Sequence, residues 1–76
     1  MIDVTETLDV TGLACPMPVV KAKLAIDKLP KGAVLRVLAT DRGALSDIPA
    51  WAKATGHTLL EVHDGGERLE FLIERG

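Results

Sequence analysis

Pro16 and Pro18 stand, one residue apart, between a short stretch that alternates apolar and polar residues and a longer one with helical periodicity. This pair constrains the chain more than any other feature. Proline lacks an N–H, is tolerated in the first turn of a helix, and pushes the residue before it toward extended φ/ψ. A helix therefore begins here, and two registers satisfy the pair. Either Cys15 is the N-cap with Pro16 at the first helical position, or Met17 is the N-cap with Pro18 there. In both, the only cysteine of the chain lies at or just before the positive end of the helix dipole, beside unpaired N–H groups of Met17, Val19 and Val20. Such surroundings favour thiolate over thiol, so a Cys15 pKa below that of a free cysteine is expected.

The rest of the chain falls into order around that start. Leu8 and Val10 alternate with Thr7, Asp9 and Thr11, which predicts a half-buried strand over residues 6–10. Gly12 to Ala14 is the turn that delivers Cys15. From Pro18 to Leu29, Val20, Leu24 and Ile26 with Ala22, Ala25 and Leu29 have helical spacing, while Lys21, Lys23, Asp27 and Lys28 fill the wet side. Pro30-Lys31-Gly32 stops the helix. Ala33 to Ala39 is aliphatic apart from Arg36, as in a central strand covered on both faces. Asp41 is a plausible N-cap for a second helix that runs to Thr55 and closes at Gly56; the alternative start lies after Asp47, with Pro49 in the first turn. Residues 57–63 form a third strand, with Leu60 and Val62 expected inward and His63 outward. Asp64-Gly65-Gly66-Glu67 is a hairpin turn. Residues 68–74 form a fourth strand, with Leu69, Phe71 and Ile73 on one face and Glu70 and Glu74 on the other. The order β-α-β-α-β-β predicts an α+β fold: a two-layer α/β sandwich, a four-stranded mixed sheet with two helices on one face. No linker or internal repeat divides residues 1–76, which are expected to form a single domain.

Composition narrows the functions open to such a chain. With 76 residues and a net charge of −2 it has no basic run, so direct, tight nucleic-acid binding is not expected. The apolar runs are too short to span a bilayer and the acidic N-terminus has no signal-peptide layout, which makes a cytoplasmic protein without membrane association the expectation. One cysteine cannot form an intramolecular disulfide, and no set of residues has zinc-ligand spacing, so neither a metal nor another cofactor is expected. Covalent chemistry at Cys15 must involve a second molecule.

Each candidate residue also has a plain structural reading. Cysteine is often simply buried; here, its place at a strand-to-helix turn on the sheet rim argues for a reactive thiol, with Pro16 and Pro18 shaping its loop. Asp41 and Asp47 are helix caps or turn residues, or else partner or proton-handling contacts near Cys15. Lys21 and Lys23 form a solvated helix face, or a shallow docking surface beside the thiol. His57 and His63 have no local partner that would make either a base for Cys15. Trp51 reads as core or edge packing.

The run Leu8-Asp9-Val10-Thr11-Gly12-Leu13-Ala14-Cys15-Pro16-Met17-Pro18-Val19 resembles the signature of the TusA (SirA-like) family of small sulfur-carrier proteins, marked by Cys-Pro-x-Pro opening the first helix. The likeness continues through Lys31-Gly32, Thr40-Asp41, Asp47-Ile48-Pro49 and Gly56 to Val62, and ends at Phe71-Leu72-Ile73. It implies the same β-α-β-α-β-β fold. It also implies that Cys15 accepts sulfane sulfur as a persulfide from a donor protein, a cysteine desulfurase or rhodanese. An acceptor then takes the sulfur, a DsrE-like protein or another thiol carrier, on routes to tRNA thiolation, molybdenum cofactor or sulfur oxidation. Some relatives carry a further cysteine where this chain has Ala50-Trp51-Ala52, which speaks against a two-cysteine redox or metal variant. The competing functions are a non-catalytic partner-binding or regulatory module and a thiol redox sensor.

Overall fold

A computed structural model describes residues 2–76. The elements follow one another as β1 (Glu6–Asp9), α1 (Met17–Ile26), β2 (Val34–Ala39), α2 (Ala44–Thr55), β3 (Thr58–Asp64) and β4 (Leu69–Glu74). The strands form one sheet in the order β1-β2-β4-β3. β1 runs parallel to β2, and β4 is antiparallel to both β2 and β3. The expected α+β sandwich with a mixed four-stranded sheet is therefore the fold.

The alternation in β2 and β4 shows how the two layers are joined. Leu35 pairs with Ile73, Val37 with Phe71 and Ala39 with Leu69, and all six are fully buried. Residues two apart on a strand share a face, so these six make one apolar floor. Ala22 and Ile26 of α1 and Ala44, Ile48 and Ala52 of α2 cover it in a single buried cluster with Val10. On the opposite face of the sheet, Arg36 is paired through Nε with Glu70 at 2.7 Å. Glu70 and Glu74 thus lie on the other face from Leu69, Phe71 and Ile73, as the alternation predicts.

Several boundaries depart from expectation for identifiable reasons. The buried side of α1 is Pro18, Ala22 and Ile26, a four-residue spacing, so Val20 and Leu24, expected inside, fall on the far side and are 41% and 57% exposed. The α-helix ends at Ile26 rather than Leu29 because the next turn tightens: Lys28 N–H donates to Ala25 O and Leu29 N–H to Ile26 O, each three residues back. The second helix begins at Ala44, with no side-chain cap. Asp41 is not its N-cap, and the start is not deferred past Asp47. Its first N–H groups are met by turn carbonyls instead, Ala44 by Asp41 O, Leu45 by Arg42 O and Ser46 by Gly43 O. Pro49 consequently lies inside the helix, where it leaves the carbonyl four residues back without its helical donor. The far end closes as predicted: Gly56 is left-handed at φ 83°, and His57 N–H donates to Ala52 O at 2.9 Å.

In β3 the register slips between Leu59 and Glu61. The extra residue is Leu60, and the bulge reassigns the faces. Leu59, opposite Ile73, and Val62, opposite Phe71, share the helix face. Leu59 packs against the core, and Val62 is on the expected side though 40% exposed on this edge strand. Leu60, expected inward, is instead the unpaired bulge residue and is 36% exposed. His63 lies opposite Glu70 and bonds Glu61, on the face away from the helices, as expected.

Candidate functional site

Parallel pairing of neighbours β1 and β2 puts their C-terminal ends side by side, so the loops that leave them must meet beyond one edge of the sheet. That position is where open α/β sheets commonly build their sites. The first loop turns at Val10–Leu13, closed by the Leu13 N–H bond to Val10 O, with Gly12 at φ 83°. A turn of this kind needs a positive φ at its third residue, which glycine adopts without strain. Asp9 Oδ1 accepts both the N–H and the hydroxyl of Thr11, and those two bonds hold the Asp9 carboxyl below its ordinary pKa.

Two bonds tie this loop to the one after β2. Gly12 N–H donates to Thr40 Oγ1 at 2.8 Å, and Cys15 N–H donates to Asp41 Oδ2 at 2.9 Å. The carboxylate expected to cap α2 therefore holds the backbone of the cysteine instead. A third contact reaches the sulfur, where Cys15 Sγ–H donates to Asp47 Oδ2 at 3.0 Å. Asp47 sits in the first turn of α2. Cys15 itself is exposed, and Asp41 and Asp47 are half-buried.

These contacts reverse the expected acidity of the thiol. The Asp47 hydrogen bond foremost, then partial desolvation and the charges of Asp47 and Asp41, push the Cys15 pKa above its ordinary value. The start of α1 is less of a counterweight than expected. Its N-cap is Pro16, so neither predicted register holds. Of the three N–H groups expected to be free, Met17 N–H is given to Ala14 O and Val20 N–H to Pro16 O, which leaves only that of Val19. An acceptor carboxylate stabilises S–H, and nearby negative charge opposes S⁻. The resting group is a thiol.

The remaining predicted site residues lie on α1. Pro18 is buried and packs the helix onto the core, which leaves Pro16 and Cys15 exposed ahead of it. Lys21 and Lys23 are exposed; Lys23 is paired with Asp27 at 2.9 Å. Lys21 lines a shallow cleft of about 200 Å³ with Leu8, Leu24, Ala25 and Lys28. A larger cleft, about 370 Å³, lies on the open face of the sheet among Arg36, Leu38, His63 and Arg68 and includes neither Cys15 nor the two aspartates. Trp51 packs against the core and its ring lies 5.4 Å from that of His57, the packing role expected of it. Sequence reasoning missed which atoms Asp41 and Asp47 hold, because those contacts cross 26 and 32 residues.

A family-wide sequence model described as "Sulfurtransferase TusA" matches residues 6–75, from the first residue of β1 to the end of the chain's last strand and beyond. The chain belongs to the TusA family. Within it, the chain is similar to the sulfur carrier protein TusA of Allochromatium vinosum, 41% identical over 75 residues that cover 99% of each protein. It is 51% identical over 71 residues to YrkI of Bacillus subtilis, covering 93% of this chain and 95% of that one. Among solved structures, the SirA-like protein of Desulfitobacterium hafniense superposes with a TM-score of 0.83 at 28% identity, over 95% of this chain and 99% of that chain. No helix of the described residues is long and apolar enough to cross a membrane.

Proposed function

We propose that this family member is a cytoplasmic sulfur carrier, its residues 1–76 acting as one domain with Cys15 as the sulfur-bearing residue. The observation that carries this reading is the placement of the only thiol of the chain, exposed where the two loops meet. Similarity to the Allochromatium carrier supports it. A donor protein, a cysteine desulfurase or rhodanese, presents a persulfide. The Cys15 sulfur attacks its outer sulfur; the S–S bond to the donor breaks as the S–S bond to Cys15 forms, and the donor cysteine leaves as the thiol after taking up a proton. One S–S bond replaces another, so no external oxidant or reductant is consumed. The reverse reaction on an acceptor thiol, of a DsrE-like protein or another carrier, unloads the sulfur, on a route to tRNA thiolation, molybdenum cofactor or sulfur oxidation.

A chain with one cysteine suits this role, because a second thiol within reach would resolve the persulfide to a disulfide. Pro16 and Pro18 shape the loop, and Asp41 anchors its backbone. The exposed row Met17, Val20 and Leu24, with Lys21 beside it, offers a docking face on the helix that begins just after the thiol. Contacts of such a hand-over are small and transient. The test is intact mass after incubation with a cysteine desulfurase and cysteine, or with a rhodanese and thiosulfate. A gain of one sulfur atom, reversed by a reductant and absent in Cys15→Ser, is expected; no gain with either donor overturns the reading.

A further inference from the structure

The carboxylates at the thiol are not matched by any cation of the described residues. The ion pairs are Lys23–Asp27, Arg36–Glu70, Arg42–Asp64 and His63–Glu61, and neither Asp41 nor Asp47 is in one. Arg42 follows Asp41 directly, yet its guanidinium is turned away, bidentate to Asp64 at 2.8 Å and bonded to Gly66 O at 3.0 Å. The first turn of α1 carries no acidic residue, and the only basic residue at either end is Lys23 in the last turn. The groups facing the sulfur are thus Asp47 from α2 and Asp41 from the loop after β2, both acidic. A nucleophilic cysteine ordinarily has the opposite setting, with a nearby cation or free helix N–H groups.

We propose that Asp47 is a positioning residue that locks the unloaded Cys15 by accepting its S–H, and that a cationic group on the sulfur donor, pairing with Asp47, opens the lock. In the free chain the sulfur stays protonated and slow toward electrophiles, so stray disulfides and alkylating agents are discriminated against. When a guanidinium or ammonium from the donor engages Asp47, the carboxylate ceases to hold the S–H and its charge no longer opposes the sulfur anion. The proton leaves to water, the sulfur attacks the outer atom of the donor persulfide, and the departing donor thiolate takes a proton back. Atoms and charge balance, and the donor supplies both the sulfur and the activation. The proposal rests on Cys15 being the residue that receives sulfur, and it specifies the chemistry of the partner that loads it.

The test uses the free chain and small probes, so that its failure is separate from a failure to load sulfur in the mass measurement above. Rates of reaction are measured against pH for iodoacetamide, which is uncharged, and for two disulfides of opposite charge, cystamine and 3,3′-dithiodipropionate. In the wild type, cystamine should react faster than dithiodipropionate, and equal rates overturn the proposal. Asp47→Asn should raise the iodoacetamide rate at neutral pH by roughly three- to tenfold, move the alkylation midpoint down, and shrink the cystamine preference by a similar factor. Asp47→Glu, which keeps the charge and the acceptor, should retain most of that preference, and a circular dichroism spectrum matching wild type shows that each variant is folded. An Asp47→Asn variant with an unchanged midpoint or an unchanged cystamine preference overturns the proposal. So does an Asp47→Glu variant that is folded but behaves like Asp47→Asn.

Discussion

Leu35, Val37 and Ala39 meet Ile73, Phe71 and Leu69 across the middle of the sheet with no exposure to solvent. One turn beyond the end of β2, the amides of Gly12 and Cys15 and the sulfur of Cys15 meet Thr40, Asp41 and Asp47 through hydrogen bonds at a partly wet rim. Both regions join segments far apart in the chain, but by different forces. In the middle, area removed from water does the joining, and it is indifferent to which aliphatic group supplies the area provided the shapes fit. At the rim, single polar atoms do it, and each has one partner. Stability is therefore expected to reside mainly in the first region and the proposed thiol chemistry in the second, and substitutions should separate the two.

The largest effect belongs to Cys15→Ser, which should abolish sulfur loading completely in the mass measurement while leaving the thermal midpoint within a degree or so of wild type, since an exposed side chain away from packing contributes little. A large loss of stability in that variant would break the division. Phe71→Ala should do the reverse. It empties a fully buried position and should cost about 3–5 kcal/mol in denaturant unfolding. In the population that remains folded, the alkylation midpoint of Cys15 should be unchanged. Smaller again is Gly56→Ala, where a φ of 83° closes α2; forcing an L side chain into that region should cost about 1–2 kcal/mol in the same measurement.

The smallest effect concerns the bidentate Arg42–Asp64 pair, an exposed link from the loop after β2 to the hairpin. Arg42 foremost, then Gly66 N–H, hold the Asp64 pKa down to about 2. A carboxyl depressed in the folded state adds stability above its unfolded pKa and loses it as pH falls through the folded value. Asp64→Asn should therefore lower the thermal midpoint slightly at neutral pH, and the gap from wild type should close as pH drops from about 4 toward 2. A gap that persists at the acid end would mean that the substituted amide disturbs the turn by shape rather than by charge.

How much of this could be read from the chain itself follows the same division. The elements, their order and the inward residues of β4 are features that local sequence carries, and Gly56 marks the end of α2 because a left-handed residue closes a helix that way. Strand β2, expected to be covered on both faces, is covered only on the Leu35–Val37–Ala39 side, and its Arg36 and Leu38 line an open cleft. The bulge at Leu60 was hidden, since alternation through Leu59-Leu60-Glu61-Val62 allows either of two apolar neighbours to face inward and only pairing with β4 decides between them. Val20 and Leu24 misled for a related reason: an apolar residue on a helix reports hydropathy, not the side on which the sheet lies. At the site, Cys-Pro-x-Pro pointed to an exposed thiol with a helix behind it. The expected acidity of the thiol had the wrong sign because it was derived from the residues following Cys15, whereas the charges that govern it arrive from Asp41 and Asp47 through the fold. Asp41 in turn looked like a cap because capping is the nearest use for an aspartate before a helix, and its actual partner is a backbone amide on another loop.

The contact from Cys15 Sγ–H to Asp47 depends on a hydrogen atom that only an empty cysteine possesses. Once a second sulfur is attached, the inner atom is bonded on both sides and has no hydrogen to give, so this contact cannot persist as it is in the unladen residue. Asp47 is left facing a side chain that has lost the donor it was paired with. Cargo thereby changes the hydrogen-bonding character of the rim as well as the length of the side chain.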